Sequence, residues 1–280
     1  MSVTNPASSL IVRGVTFDLD DTLWCGKTVL RKANDAFHAF LMQKTPQLAQ
    51  QFPPATFDTL LVEFQQSMPE KAHDYTFLRK HTLNYCINVC GALNLELEDE
   101  IQLETFINAA FQAFLIPRSQ PELFDGVEHL FQALKQEIRE WNQDIDPILG
   151  VITNGNCKME NLPEYFNQHM NFIVSAEVVG TAKPNLAIFD AAVAKFPPVN
   201  DRQQIVHVGD HYECDVEGAK HAGLRTIWVN AKWTKPNALT RTELDLEDAE
   251  RYVAADAIVK EVNAVLLVVK HWNMLAASST

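Results

Sequence analysis

Two aspartates set two residues apart are the first sign of chemistry in this chain. They lie in Phe17-Asp18-Leu19-Asp20-Asp21-Thr22-Leu23, directly behind a short apolar run at 15–17. In extended backbone, residues i and i+2 point to one face, so Asp18 and Asp20 present their carboxylates together. Like charges so placed persist only when a cation, a proton or a hydrogen-bond network offsets them. A second acidic pair stands in Gly209-Asp210-His211-Tyr212-Glu213-Cys214-Asp215, again behind a β-rich run at 205–208. Asp210 is placed to reach a hard cation, and Asp215, at a helix start, to cap that helix or orient its neighbours. His211 is a further candidate whose commoner meaning is a loop histidine. In Ile152-Thr153-Asn154-Gly155-Asn156 a hydroxyl, an amide and a permissive glycine suit an oxyanion such as phosphate. Taken alone, that segment reads more simply as an Asn-Gly β-turn. Lys183-Pro184 precedes a helical pattern, where an ammonium and a helix N-terminus together neutralise an anion. Taken alone, it reads as a surface lysine.

The elements that must position these residues are legible from periodicity. Runs at 15–17, 149–152, 172–174, 205–208 and 226–229 are short, rich in Val and Ile, and nearly continuous. Strands covered on both faces read this way. Amphipathic stretches lie between them, including Val127, Leu130, Phe131, Leu134 and Ile138 at helical spacing. Alternating strand and helix predicts a Rossmann-like parallel sheet with right-handed crossovers, an α/β core. All four chemical segments follow or closely neighbour strand ends, the edge at which such sheets present ligands. The region 25–115 has another texture. It has almost no β-branched runs, and Val29, Leu30, Ala33, Phe37, Phe40 and Leu41 form one apolar stripe. Further helices are predicted near 78–89 and 106–114, with Pro53, Pro54, Pro69 and Pro117 as punctuation. The expected division is an α/β core of 1–24 and 116–280 with an inserted all-helical cap at 25–115. The segment 256–275 is expected to be a closing helix.

Composition narrows the function. The 23 basic and 36 acidic side chains give a formal charge of −13, which argues against nucleic acid as partner. No segment resembles a signal peptide or a membrane span. The five cysteines form no disulfide-like framework, so reduced thiols in the cytoplasm are expected. Cys86 and Cys90 are four residues apart without a second ligand pair, which favours buried apolar roles over a metal site. Cys25, Cys157 and Cys214 flank the acidic and oxyanion segments.

FDLDDTL (17–23), ITNGN (152–156), KP (183–184) and VGDHYECDVEGAKHAGL (208–224) resemble, in type and in order, the motifs of the haloacid dehalogenase-like hydrolases. The helical insert matches the position of that family's first cap type. The resemblance implies that Asp18 is a nucleophile forming an aspartyl-phosphate and that Asp20 is the general acid and base. It implies Mg²⁺ held by Asp18, Asp210 and the Asp20 carbonyl, with Asp215 supporting, and Thr153, Asn154 and Lys183 holding phosphate. Dehalogenase members lack an aspartate two positions after the nucleophile, so Asp20 favours a phosphatase or phosphomutase. The motifs are most similar to those of bacterial phosphatases acting on flavin mononucleotide or on the phosphorylated ribitylamino-pyrimidine precursor of riboflavin. A nucleotide or sugar phosphatase, or a silent relative that binds a phosphometabolite, remains an alternative. The expected partner is a small phosphorylated metabolite, and the sequence leaves the oligomeric state open. In the cap, Arg79, Lys80 and His81 are either a solvated helix face or, for Arg79, a contact to the substrate's polar end.

Overall fold

The computed structural model describes residues 10–91, 99–142 and 146–278. The chain divides into two compact units, Gly26–Glu122 with Gly155–Pro163, and Met1–Cys25 with Leu123–Asn154 and Glu164–Thr280.

The first of these is helical. It contains α1 (Gly26–Lys44), α2 (Pro46–Gln51), α3 (Pro54–Ser67), α4 (Tyr75–Cys90) and α5 (Glu100–Arg118). On α1 the buried residues Val29, Ala33, Phe37 and Leu41 recur every fourth position, and this stripe packs along α5. Ala33, Phe37 and Leu41 of that stripe form one apolar core with Leu48, Phe57, Leu83, Ile87, Phe111 and Phe114. Each such side chain contributes about 1.5–3 kcal/mol when fully buried. Helix starts are specified locally. Asp74 accepts the Phe77 N–H at 2.8 Å and Asp99 accepts the Gln102 N–H at 2.7 Å, each satisfying an otherwise orphaned donor. Pro46 and Pro54 open α2 and α3, where a missing N–H costs nothing. These two helices were not separately legible, because the prolines read as punctuation. The unit also extends beyond the expected boundary at 115: α5 continues through Pro117 to Arg118. A proline in the last turn forfeits one intrahelical bond without breaking the helix.

The second unit is α/β. Its strands are β1 (Gly14–Phe17), β2 (Ile148–Thr153), β3 (Phe172–Ser175), β4 (Ile205–Gly209), β5 (Arg225–Val229) and β6 (Ala257–Val259), all parallel in the order β3-β2-β1-β4-β5-β6. Its helices are α6 (Val127–Trp141), α7 (Glu164–His169), α8 (Ala176–Val179), α9 (Leu186–Val193), α10 (Gly218–His221), α11 (Leu246–Arg251) and α12 (Val265–Ser278). All four residues of β1 are buried, as the continuous apolar runs required. Helices α6 and α12 pack together, α9 lies against β2 and β3, and α10 against β5. Phe17 is level with Val151 of β2 and Val208 of β4. The carboxyl ends of the three central strands therefore sit side by side at the point where the strand order reverses, the position at which open α/β sheets bind ligands.

The end of the chain departs from expectation. The segment 256–275 is not one helix: Ala257–Val259 adds β6 to the sheet, and α12 starts only at Val265. A three-residue apolar run carries no period that separates strand from helix. Among the described residues, no helix is long and apolar enough to cross a membrane.

Candidate active site

The site grows from the end of β1. The Asp18 N–H donates to Val208 O at 2.8 Å, which prolongs the β1–β4 pairing by one residue and fixes where the side chain emerges. The chain then turns sharply. Leu23 N–H donates to Leu19 O at 2.8 Å and Asp21 N–H to Trp24 O at 2.7 Å, while Asp21 takes a left-handed φ of 62°. Aspartate is among the few residues that tolerate this conformation. Leu19, Leu23 and Trp24 are fully buried and anchor the turn. The Trp24 indole N–H donates to Asp20 Oδ1 at 2.8 Å, so Asp20 is held in place rather than left to rotate.

Lys183 joins the strands electrostatically. Its Nζ donates to Asp18 Oδ1 at 2.6 Å, to Asp215 Oδ1 at 2.6 Å and to Ile152 O at 2.8 Å, with the side chain only 2% exposed. The surface-lysine reading fails for this residue. Its backbone is clamped by Asn154, whose Oδ1 accepts the Lys183 N–H at 2.7 Å and whose Nδ2 donates to Lys183 O at 3.2 Å. The Asn154 amide, expected to hold phosphate, thus bonds the lysine's backbone with its oxygen and one N–H. The buried Thr153 closes β2 beside it.

Asp210 precedes, and Asp215 lies within, a single π-helical turn, Tyr212–Glu217, of a kind frequent at functional sites. Asp210 Oδ1 accepts the Thr22 hydroxyl at 3.2 Å, and its carbonyl accepts the Trp228 indole N–H at 2.8 Å. Asp215 Oδ2 accepts the His211 N–H at 2.9 Å. His211 Nδ1 accepts the Cys214 N–H at 3.2 Å, so the ring caps its own turn. Gly209 is required here: a Cβ on it would sit 2.3 Å from Asp215 Cγ. Beneath Asp215 lies His207, which sequence reasoning passed over because it sits inside an apolar strand. Its Nε2 is 3.4 Å from Asp215 Oδ1 and its Nδ1 is 2.9 Å from Thr16 Oγ1.

Charge balance decides the electrostatics. Burial opposes every ion here, but the Lys183 charge, with His207, holds the Asp215 carboxyl well below its usual range. Burial likewise disfavours the Lys183 ammonium, yet Asp18 and Asp215 together keep its pKa above the ordinary lysine value. One ammonium cannot neutralise two buried carboxylates. Asp18 is the one left under-compensated: burial pushes it up to about 8, with Lys183 opposing and Asp215 and Asp20 adding. Burial, then Asp215 and Asp21, also raises Asp210 to about 6. Oxygens of Asp18, Asp210 and Asp215 all lie within 4.8 Å of one another. An all-oxygen donor set with excess negative charge fits a hard divalent cation. Asp215 is held by Lys183 and the His211 N–H, so Asp210 and the second oxygen of Asp18 are the side-chain atoms that could reach such a cation.

Arg79 does not lie on a solvated helix face. It is 7% exposed, with its guanidinium 3.7 Å from the Phe114 ring centroid and 5.3 and 5.6 Å from those of Phe37 and Phe57. Burial lowers its pKa to about 10, partly offset by Asp58. The apolar stem and planar cation of arginine suit such a cage, a reading the charge pattern of the sequence concealed. Lys80 donates to Asn108 Oδ1 at 2.8 Å, and the His81 ring stacks on Phe77. None of the five cysteines is in a disulfide; Cys86, Cys90 and Cys157 are buried, and Cys25 and Cys214 partly so.

Comparison with known proteins agrees with this geometry. The chain is 28% identical over 221 residues to the 5-amino-6-(5-phospho-D-ribitylamino)uracil phosphatase YigB of Escherichia coli (strain K12), covering 78% of this chain and 83% of that protein. Over 90 residues it is 39% identical to the pyrimidine 5'-nucleotidase YjjG of the same organism, covering 30% of this chain and 38% of that protein. Among solved structures, a 2-haloacid dehalogenase from Pseudomonas syringae pv. Tomato DC3000 aligns with a TM-score of 0.71 at 28% identity, covering 94% of this chain and all of that one. The family model described as haloacid dehalogenase-like hydrolase matches residues 12–223. That match starts before β1 and ends beyond α10, takes in every residue of the site, and establishes that the chain belongs to the haloacid dehalogenase-like hydrolases.

Proposed function

We propose that this hydrolase is a Mg²⁺-dependent phosphatase that cleaves a small-molecule phosphate monoester through an aspartyl-phosphate on Asp18. The observation that carries the reading is Asp20, a second carboxyl two residues beyond Asp18 and tied by the Trp24 indole. An alkyl halide leaves without a proton, whereas an alkoxide leaving from phosphorus needs one. A general acid beside the nucleophile therefore favours phosphate esters over haloacids.

In the first step an Asp18 oxygen attacks phosphorus, the bond to the ester oxygen breaks, and Asp20 protonates the departing alcohol. In the second, Asp20 takes a proton from water as that water attacks phosphorus. The bond to Asp18 breaks, and inorganic phosphate leaves. Lys183 neutralises the anion throughout, with Thr153 as the second phosphate holder; Asn154 and Asp215 keep the lysine in place. Mg²⁺, held by Asp18, Asp210 and the Asp20 carbonyl, would supply the positive charge that an anionic nucleophile needs to approach an anionic phosphate. Dividing one displacement into two is what covalent catalysis contributes.

The similarity to YigB supports the ribitylamino-pyrimidine precursor of riboflavin, or flavin mononucleotide, as substrate. The shorter match to YjjG supports a nucleoside monophosphate as the second reading. Five cysteines outside any disulfide suit a reducing cytoplasm. A panel of phosphorylated metabolites, assayed for phosphate release with and without Mg²⁺, tests the proposal. Preferential turnover of the ribitylamino-pyrimidine or flavin phosphate is expected. Release of halide from 2-haloacids with no phosphate from any ester would overturn it.

A further inference from the structure

His207 and Thr16 form a buried relay beneath the nucleophile, and no step of the reaction uses either of them. Both are 0–1% exposed, on neighbouring strands β4 and β1, at paired positions of the register. The contacts run Thr16 Oγ1 to His207 Nδ1 at 2.9 Å, His207 Nε2 to Asp215 Oδ1 at 3.4 Å, and Lys183 Nζ to Asp215 Oδ1 and Asp18 Oδ1 at 2.6 Å each. A polar chain thus reaches from the floor of the sheet to the nucleophile.

Two tautomers of a neutral ring are compatible with these distances. If Nδ1 carried the proton, a bare Nε2 lone pair would face a buried carboxylate, and the Thr16 hydroxyl would be left with the longer 3.3 Å contact to Val206 O. If Nε2 carries it, the ring donates to Asp215 and Nδ1 accepts the Thr16 hydroxyl at the shorter distance. Every donor then meets an acceptor, the arrangement a buried polar group requires. Burial keeps the ring neutral, with Phe189 packed edge-on against it at 5.5 Å between ring centroids.

We infer that His207, in its Nε2–H tautomer fixed by Thr16, is a positioning residue that keeps Asp215 on Lys183 and thereby divides the three-carboxylate cluster. With N–H donors from Lys183, His211 and His207 on three of its roughly four lone-pair sites, Asp215 is held toward Lys183 rather than toward a cation. Without the His207 donor, Asp215 can turn within a cluster whose oxygens already lie within 4.8 Å of one another. Lys183 then loses its fixed place beside Asp18.

This inference rests on the phosphatase reading for its kinetic consequence but not for its structural one. The structural test is the imidazole ¹⁵N spectrum of the full chain. Nε2 protonated and Nδ1 bare is expected; any spectrum with His207 Nδ1 protonated overturns the inference, whatever the enzyme's substrate. The kinetic test uses the best ester from the panel. His207→Phe keeps a flat ring without a donor and should lower kcat about 10- to 100-fold with KM little changed, the usual scale for loss of a partner behind a site ligand. His207→Gln places an amide N–H near the former Nε2 and should recover most of that loss, whereas His207→Asn, which mimics Nδ1, should not. Equal losses in the glutamine and asparagine variants, or a change confined to KM, would refute the positioning role. An inactive parent with the expected tautomer would count against the phosphatase reading alone.

Discussion

Replacing Asp18 with asparagine should inactivate the enzyme and, without a divalent cation, make it more stable. The reason lies in the charge balance of the site. The Asp18 side chain is 12% exposed, and its one cation is shared with Asp215. Burial holds its pKa near 8, against an ordinary value of 3.8. Between those values the folded state retains a proton that the unfolded chain has released, so stability falls as pH rises. The slope is at most about 1.4 kcal/mol per pH unit, or about 4 kcal/mol between pH 5 and pH 8. Asparagine carries no such proton, and Lys183 keeps its bonds to Asp215 and Ile152 O. Thermal unfolding in chelator should therefore show the variant above the parent at pH 8, with the gap shrinking toward pH 5. At about 2–4 °C per kcal/mol the effect is many degrees at its ceiling. Adding Mg²⁺ at pH 8 should raise the parent, by about 2.7 kcal/mol at a hundred times Kd, and leave the variant nearly unmoved. A variant less stable than the parent in chelator at pH 8, or a gap that ignores pH, would show that Asp18 is not an under-compensated buried carboxyl.

Asp20→Ala should release a burst of nitrophenolate from nitrophenyl phosphate, near one equivalent per site, and then turn over slowly. The activated leaving group dispenses with the acid in the first step, but the second still lacks its base; a linear trace of low slope in a variant that binds Mg²⁺ normally would count against the two duties. Gly209→Ala should drive Asp215 from Lys183, because its Cβ would lie 2.3 Å from the Asp215 Cγ. Activity should fall more than about tenfold, and a crystal structure with the Asp215–Lys183 bond intact would contradict this. Arg79→Met should cost about 1–3 kcal/mol of stability through loss of the cation stacked on three rings, read by urea denaturation. Unchanged stability with altered ranking of substrates would restore the substrate-contact reading.

How far the sequence carries depends on whether a residue's meaning is local. The strands of the central sheet were legible because each is buried on both faces and long enough to read as a continuous run. At three residues, β6 was too short for that signal. Asp18, Asp20, Lys183, Asp210 and Asp215 could be picked out as candidates because they recur in a fixed order at or after strand ends, and the structure brings Asp18, Lys183, Asp210 and Asp215 together. Side-chain partners were not. The amide of Asn154 is equally suited to a phosphate and to the backbone of Lys183, and only the approach of a segment 29 residues away decides. His207 looks like any residue of a buried strand until Asp215 is seen above it. Arg79 shows the same limit from the opposite side: a charge on a helix predicts solvent unless the aromatic residues of three other helices, α1, α3 and α5, are known to surround it.

Covalent catalysis in this site requires that Asp18 carry the phosphoryl group. Asp20→Ala, mixed with nitrophenyl phosphate and Mg²⁺ and quenched in acid during the burst, should contain one phosphoryl group per chain. Peptide mapping by mass spectrometry should place it on Asp18, and Asp18→Asn in the same background should carry none. A burst with the phosphoryl group on another residue, or released phosphate with an unmodified Asp18 at every quench time, would show that Asp18 is not the nucleophile.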